Sequence, residues 1–176
     1  MTAAEYFRLP DDGYAYELVN GVLLMSPSPR PRHQRVLLEV AAQLSGSLRK
    51  DPVGVVHIET DVEFAPAFVY RPDLCFYRVG RVKGDPDHLR GAPDLVVEII
   101  SPQSRRYDSE TKRADYERFG VQEYWLIDPQ RETMTFLRLS EGQYAEVAPE
   151  GDTFGSAAAT GFSLDLAAVR ASWQPL

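Results

Sequence analysis

The chain has 176 residues, 44% hydrophobic and 11% aromatic, which suits one domain with a substantial core. Its formal net charge of -7 excludes a constitutive nucleic-acid coat protein, though not an enzyme that meets nucleic acid through a local basic surface. No apolar run reaches the roughly 20 residues that cross a bilayer, and the opening MTAAEYFRLP lacks a basic region followed by an apolar run, so a cytoplasmic location is expected.

Thr2 is placed to cap a short helix over Ala3–Arg8 that Pro10 stops. YELVNGVLLMS reads as a hairpin, because Asn20-Gly21 accepts the positive φ angles of a two-residue turn. Glu17 lies on its first arm. Ser26–Arg32 is a Pro-rich connector. From His33 to Lys50 the apolar residues Val36, Leu37, Val40, Ala41, Leu44 and Leu48 recur at helical spacing. Val53–Phe64 reads as one strand with an irregularity in its middle, and Arg71–Tyr77 as the next, with Cys75 as a small core residue. That single cysteine excludes an intrachain disulfide and a Cys-rich zinc site.

Arg78–Ala92 is polar and loop-like. Leu95–Ile100 is a buried strand ended by Pro102. Asp108–Phe119 is a second helix, with Gly120 as its natural stop. Tyr124–Ile127 is a short strand. Met134–Leu139 and Tyr144–Val147 form a hairpin around Glu141-Gly142, and Leu164–Ala171 is a last short helix. This order predicts an α/β, or α+β mixed, fold: a mixed sheet with helices packed on it.

Two carboxylates interrupt apolar strands: Asp73 in RPDLCFY and Glu98 in PDLVVEII. A buried carboxylate is costly unless it is paired, protonated or bound to a metal. Alternation puts Asp94, Val96 and Glu98 on one strand face, opposite Leu95 and Val97. If the two strands pair, Asp73 and Glu98 converge on a site suited to a hard cation, with a backbone carbonyl near Ile99 as a further ligand. The bland alternative has Asp73 ending a strand and Glu98 meeting an arginine. Lys112, Asp115, Tyr116 and Phe119 line one helix face, so Lys112 points toward the sheet, unless its ammonium snorkels to water. Glu17 extends the acidic cluster. His33 is a phosphate contact, an aid to water activation or an exposed helix-start residue. Basic residues gather as Arg30, Arg32, His33 and Arg35, and as Arg105, Arg106, Lys112 and Arg113. Nucleotide-loop, GxSxG and HExxH patterns are missing, so ATPase, α/β-hydrolase and zinc-hydrolase readings have no support.

From YELVNGVLLMSPSPRPRHQRV through RPDLCFY to PDLVVEIISPQSRRYDSETKRADYERFGVQEYWLIDP, the sequence resembles the Uma-type restriction endonuclease family of the PD-(D/E)XK nuclease superfamily. The resemblance implies a restriction-endonuclease-like mixed central sheet flanked by helices. It implies a Mg²⁺-dependent phosphodiesterase, with Mn²⁺ as a substitute, acting on DNA. By similarity Asp73 is the motif aspartate and Glu98 the second acidic ligand, while Glu17 matches the upstream acidic residue. The motif lysine falls at Ile100, which cannot do that work, so Lys112 is the candidate for a migrated lysine. His33, Arg35 and Arg105 are the candidate DNA contacts, and a homodimer is expected by analogy with enzymes that cut two strands. The competing readings are a nuclease-like fold used for binding or assembly, and a hydrolase of small phosphoesters.

Overall fold

The computed structural model describes residues 1–26 and 28–174. The N-terminal helix α1 spans only Ala3–Tyr6, and Thr2 and Glu5 cap it reciprocally. β1 (Tyr16–Val19) and β2 (Val22–Met25) form the expected hairpin, with Asn20 and Gly21 at φ 50° and 78°. Part of the Pro-rich connector, Pro27, lies outside the described residues. The long helix α2 (Pro31–Leu48) starts two residues before His33, with Pro31 in its first turn, where a missing amide hydrogen costs nothing.

The expected strand over Val53–Phe64 is in fact two. β3 (Gly54–Ile58) and β4 (Val62–Ala65) belong to different sheets, and Glu59, at φ 46°, turns the chain between them. The strand expected at Arg71–Tyr77 begins only at Leu74. β5 (Phe68–Tyr70) pairs in the first sheet, Arg71–Asp73 cross between sheets, and β6 (Leu74–Arg78) enters the second. The loop after it contains the short β7 (Leu89–Arg90).

β8 (Leu95–Ile99) is wholly buried. The second predicted helix opens with a π-helical turn over Tyr107–Lys112 and continues as α3 (Arg113–Phe119), which Gly120 ends at φ 83°. β9 (Glu123–Asp128), β10 (Thr133–Ser140) and β11 (Gln143–Glu146) follow. β12 (Thr153–Gly155) and β13 (Ser163–Asp165) pair with each other, so only Leu166–Ala171 of the last predicted helix is helical, as α4.

The six-stranded sheet runs β11-β10-β9-β8-β6-β3, and the five-stranded sheet runs β2-β1-β5-β4-β7. Both are mixed: β8–β9 and β4–β7 are parallel pairs, and the others are antiparallel. The sheet face carrying Leu74, Phe76, Leu95, Val97, Ile99 and Trp125 packs on α2 and α4 residues. The face carrying Cys75, Tyr77, Val96 and Tyr124 packs toward Tyr70 of the five-stranded sheet and Tyr116 of α3. The mixed α/β architecture matches the expectation. No helix among the described residues is long and apolar enough to cross a membrane.

Candidate functional site

The site lies where the two sheets meet. β6 and β8 pair antiparallel with Leu74 opposite Val97, so the continued register sets Asp73 beside Glu98, on the sheet face away from α2. Asp73 Oδ2 accepts the Ile99 amide at 2.6 Å and lies 3.0 Å from His33 Nε2. Glu17 comes from β1 of the other sheet and accepts the Arg71 amide at 3.0 Å, which fixes the crossing segment.

Lys112 ties these parts together. Its ammonium donates to Glu98 Oε1 at 2.9 Å, sits 3.0 Å from Glu17 Oε1 and 3.7 Å from Asp108 Oδ1. It also lies 5.8 Å from the centre of the Tyr70 ring and 5.4 Å from that of Tyr107, distances at which an aromatic face attracts a cation. The Tyr116 hydroxyl donates to the same Glu98 oxygen at 3.0 Å. The helical segment that carries these groups is anchored at its start, where Ser101 and Ser104 accept each other's amides at 3.1 Å. The π-turn then carries Tyr107, Asp108 and Lys112 to the same cleft, a placement typical of π segments at functional sites.

Burial pushes the Glu98 carboxyl well above the usual range, offset in part by Lys112 and reinforced by Asp73, Asp108 and Glu17. Burial likewise raises Asp108 to about 6, against the pull of Lys112. For Lys112 itself burial works against the charge, but Glu17, Glu98 and Asp108 outweigh it and hold the ammonium protonated. His33 follows the same logic: the hydrogen bond and charge of Asp73 overcome burial and raise its pKa.

These groups line a cleft of about 610 Å³. Glu17, Glu98 and Asp108 surround the buried ammonium of Lys112, and Asp73 lines the same cleft beside His33. Carboxyl oxygens of this kind suit a hard divalent ion. Among the described residues no three His, Cys, Asp or Glu side chains are placed to hold one metal ion together. Mg²⁺ needs no such trio, since it keeps several waters and takes one or two carboxylates with substrate phosphates.

Asp73, Glu98, Lys112, Glu17 and His33 therefore converge. Arg105 and Arg35 do not. Arg105 is locked to Asp128 at 2.9 Å, and Arg35 turns toward the Ser172 carbonyl at 3.4 Å; neither lines the cleft. Asp94, at the far end of β8, accepts the Arg78 amide at 2.9 Å and pairs with Arg81 at 2.8 Å. Ile100 is buried at the position of the motif lysine, while the ammonium of Lys112 reaches Glu98 from the helix. Sequence reasoning missed Asp108 and Tyr107. The spacing of Asp108 four residues before Lys112 was the available signal.

Curated proteins offer no match to this chain. Among solved structures it is similar to one described as a "putative nuclease belonging to DUF820" from Anabaena variabilis, with a TM-score of 0.85, 19% identity and 99% of each chain covered. At that identity the likeness speaks for the fold alone. The model of one family matches residues 3–167, nearly the whole chain. The protein thus belongs to the Uma2 family, described as "Putative restriction endonuclease".

Proposed function

We propose that the protein is a metal-dependent endonuclease that hydrolyses DNA phosphodiester bonds, with Mg²⁺ as its cofactor and Mn²⁺ as a substitute. The observation that supports this most is the 2.9 Å contact of the Lys112 ammonium with Glu98, in the cleft that Asp73 also lines. An acidic pair and a lysine meet there although the lysine comes from a different element.

Asp73 and Glu98 would hold the ion through their carboxylate oxygens. When bound, it lowers the pKa of water and neutralises charge growing on the phosphate oxygens. Lys112 stays protonated and so acts as a donor, orienting the attacking water or stabilising phosphate charge, rather than as a base. Glu17 holds Lys112 and the Arg71 amide in place. His33 and the Ile99 amide fix the Asp73 carboxylate. Hydrolysis adds water across one P–O bond and leaves a phosphomonoester and a hydroxyl.

A specific observation favours a second reading, a binding or assembly module. Lys112 already pairs with both Glu17 and Glu98, and the chain carries a net charge of -7. Plasmid and oligonucleotide cleavage with added Mg²⁺ or Mn²⁺ separates the two. Chelator-sensitive cutting lost in Asp73→Ala and Glu98→Ala supports the nuclease. Cutting that survives both substitutions removes this site assignment, and DNA binding without turnover supports the module. The expected homodimer is tested by sedimentation at tens of micromolar, where a monomer alone would rule it out.

A further inference from the structure

The cleft does not have the walls of a duplex-tracking surface. Its exposed cations among the described residues are Arg30 and Arg71. Arg105, the obvious extension, is engaged by Asp128, and Arg106 stands 88% exposed beside Glu110, outside the lining of the cleft. A protein that follows a duplex needs a basic stripe along many phosphates, and here the footprint is short. The start of α2 opens at the same rim with no side-chain cap on its first turn, a further point of attraction for one phosphate.

The opposite wall is apolar. In the hairpin register Leu24 stands directly across from Glu17, so both side chains project from the same face of the sheet. Leu24 and the neighbouring Met25 line the cleft and are 37% and 61% exposed. β2 is the edge strand of its sheet, so no strand pairs beyond it. Apolar side chains kept open beside a cation-flanked acidic site match a ligand with a flat apolar face joined to a phosphate. An unpaired nucleotide has both. In a duplex the base faces are stacked away inside the helix.

We infer that the cleft accepts a short unpaired segment of DNA, a single strand, frayed end or flap, with a base against Leu24, Met25 bordering it at the strand end, and the adjoining phosphates at Arg30 and Arg71. This rests on the phosphodiester reading of the site and names its substrate class.

The test is fluorescence anisotropy with Ca²⁺ in place of Mg²⁺, using a short single-stranded oligonucleotide, its duplex, and the duplex with an unpaired tail. Single strand and tailed duplex should bind about tenfold more tightly than the blunt duplex. With contacts to the phosphates limited to two arginines, the slope of log affinity against log salt should be about -1.4. Leu24→Ser with Met25→Ser should lose most of the single-strand advantage and leave duplex binding alone. The milder Leu24→Ala serves if the double variant melts early. Equal or tighter duplex binding, no binding of the single strand, an advantage that survives both variants, or a slope steeper than about -4 would overturn the inference. Cleavage of the same three substrates keeps the two claims apart. Preference in binding without cutting sinks the nuclease reading alone, and cutting with duplex preference sinks this inference alone.

Discussion

The two faces of β8 show how differently one strand can be used. Leu95, Val97 and Ile99 point into the apolar core with α2 and Trp125, where burial stabilises the fold by roughly 1.5 to 3 kcal/mol per side chain. One residue out of phase, Glu98 points into a cluster of carboxylates around one lysine. There burial works against the charged form, and pairing with Lys112 only partly offsets it. One face supplies the rigidity, and the other is the one to which the proposed function assigns the chemistry.

The sharpest way to break that comparison is to alter one face at a time. Asp73→Asn or Glu98→Gln should lower DNA cleavage by about a thousandfold or more, with little loss of thermal stability. Saturable Mg²⁺ binding in calorimetry should vanish in Glu98→Gln. If cleavage persists, or if the variants unfold, the acidic face is structural after all. Next in size is the other face. Trp125→Ala should cost about 3 to 5 kcal/mol in denaturant unfolding, because its ring is fully buried against Phe136, Phe154 and Phe162. Any folded protein that remains should still bind Mg²⁺.

A smaller effect comes from pH. The Asp108 carboxyl is raised by burial from its ordinary value to about 6. The folded protein therefore keeps a proton that the unfolded chain releases near pH 4, and stability of the metal-free protein should fall as pH rises from about 4 to about 6. Glu98, also raised by burial, adds to the same fall, so Asp108→Asn should reduce it by roughly 1 to 3 kcal/mol without abolishing it. An unchanged slope in the variant would show that another group controls it. Smallest is Thr2→Ala, which removes the hydroxyl that accepts the Glu5 amide and leaves the other half of the cap in place; it should cost about 1 kcal/mol, without effect on metal binding.

The elements with strong local signals were readable directly. The Asn20-Gly21 and Glu141-Gly142 turns, α2 and the Gly120 stop each rest on residues within a few positions of one another. The strand at Val53–Phe64 misled because its apolar alternation is nearly continuous, while the break at Glu59 is a backbone turn that only the division into two sheets requires. Arg71–Asp73 were misread for the same reason. The small β12–β13 pair left almost no pattern in its three-residue strands.

For the site, Asp73, Glu98, Glu17 and Lys112 could be picked out from polar groups set among apolar neighbours, with family resemblance guiding their order. Arg35 and Arg105 were chosen on charge alone, and charge does not say which cation already has a partner. Sequence by itself determined the mixed architecture and the acidic pair, because strand periodicity places a carboxylate on a definite face. Tertiary structure decided which groups meet. The distance from Lys112 to Glu98, the arrival of Glu17 from another sheet and the capture of Arg105 by Asp128 all depend on contacts between residues far apart in the chain. No local pattern encodes those contacts, since they exist only once the two sheets and the π-turn have packed together.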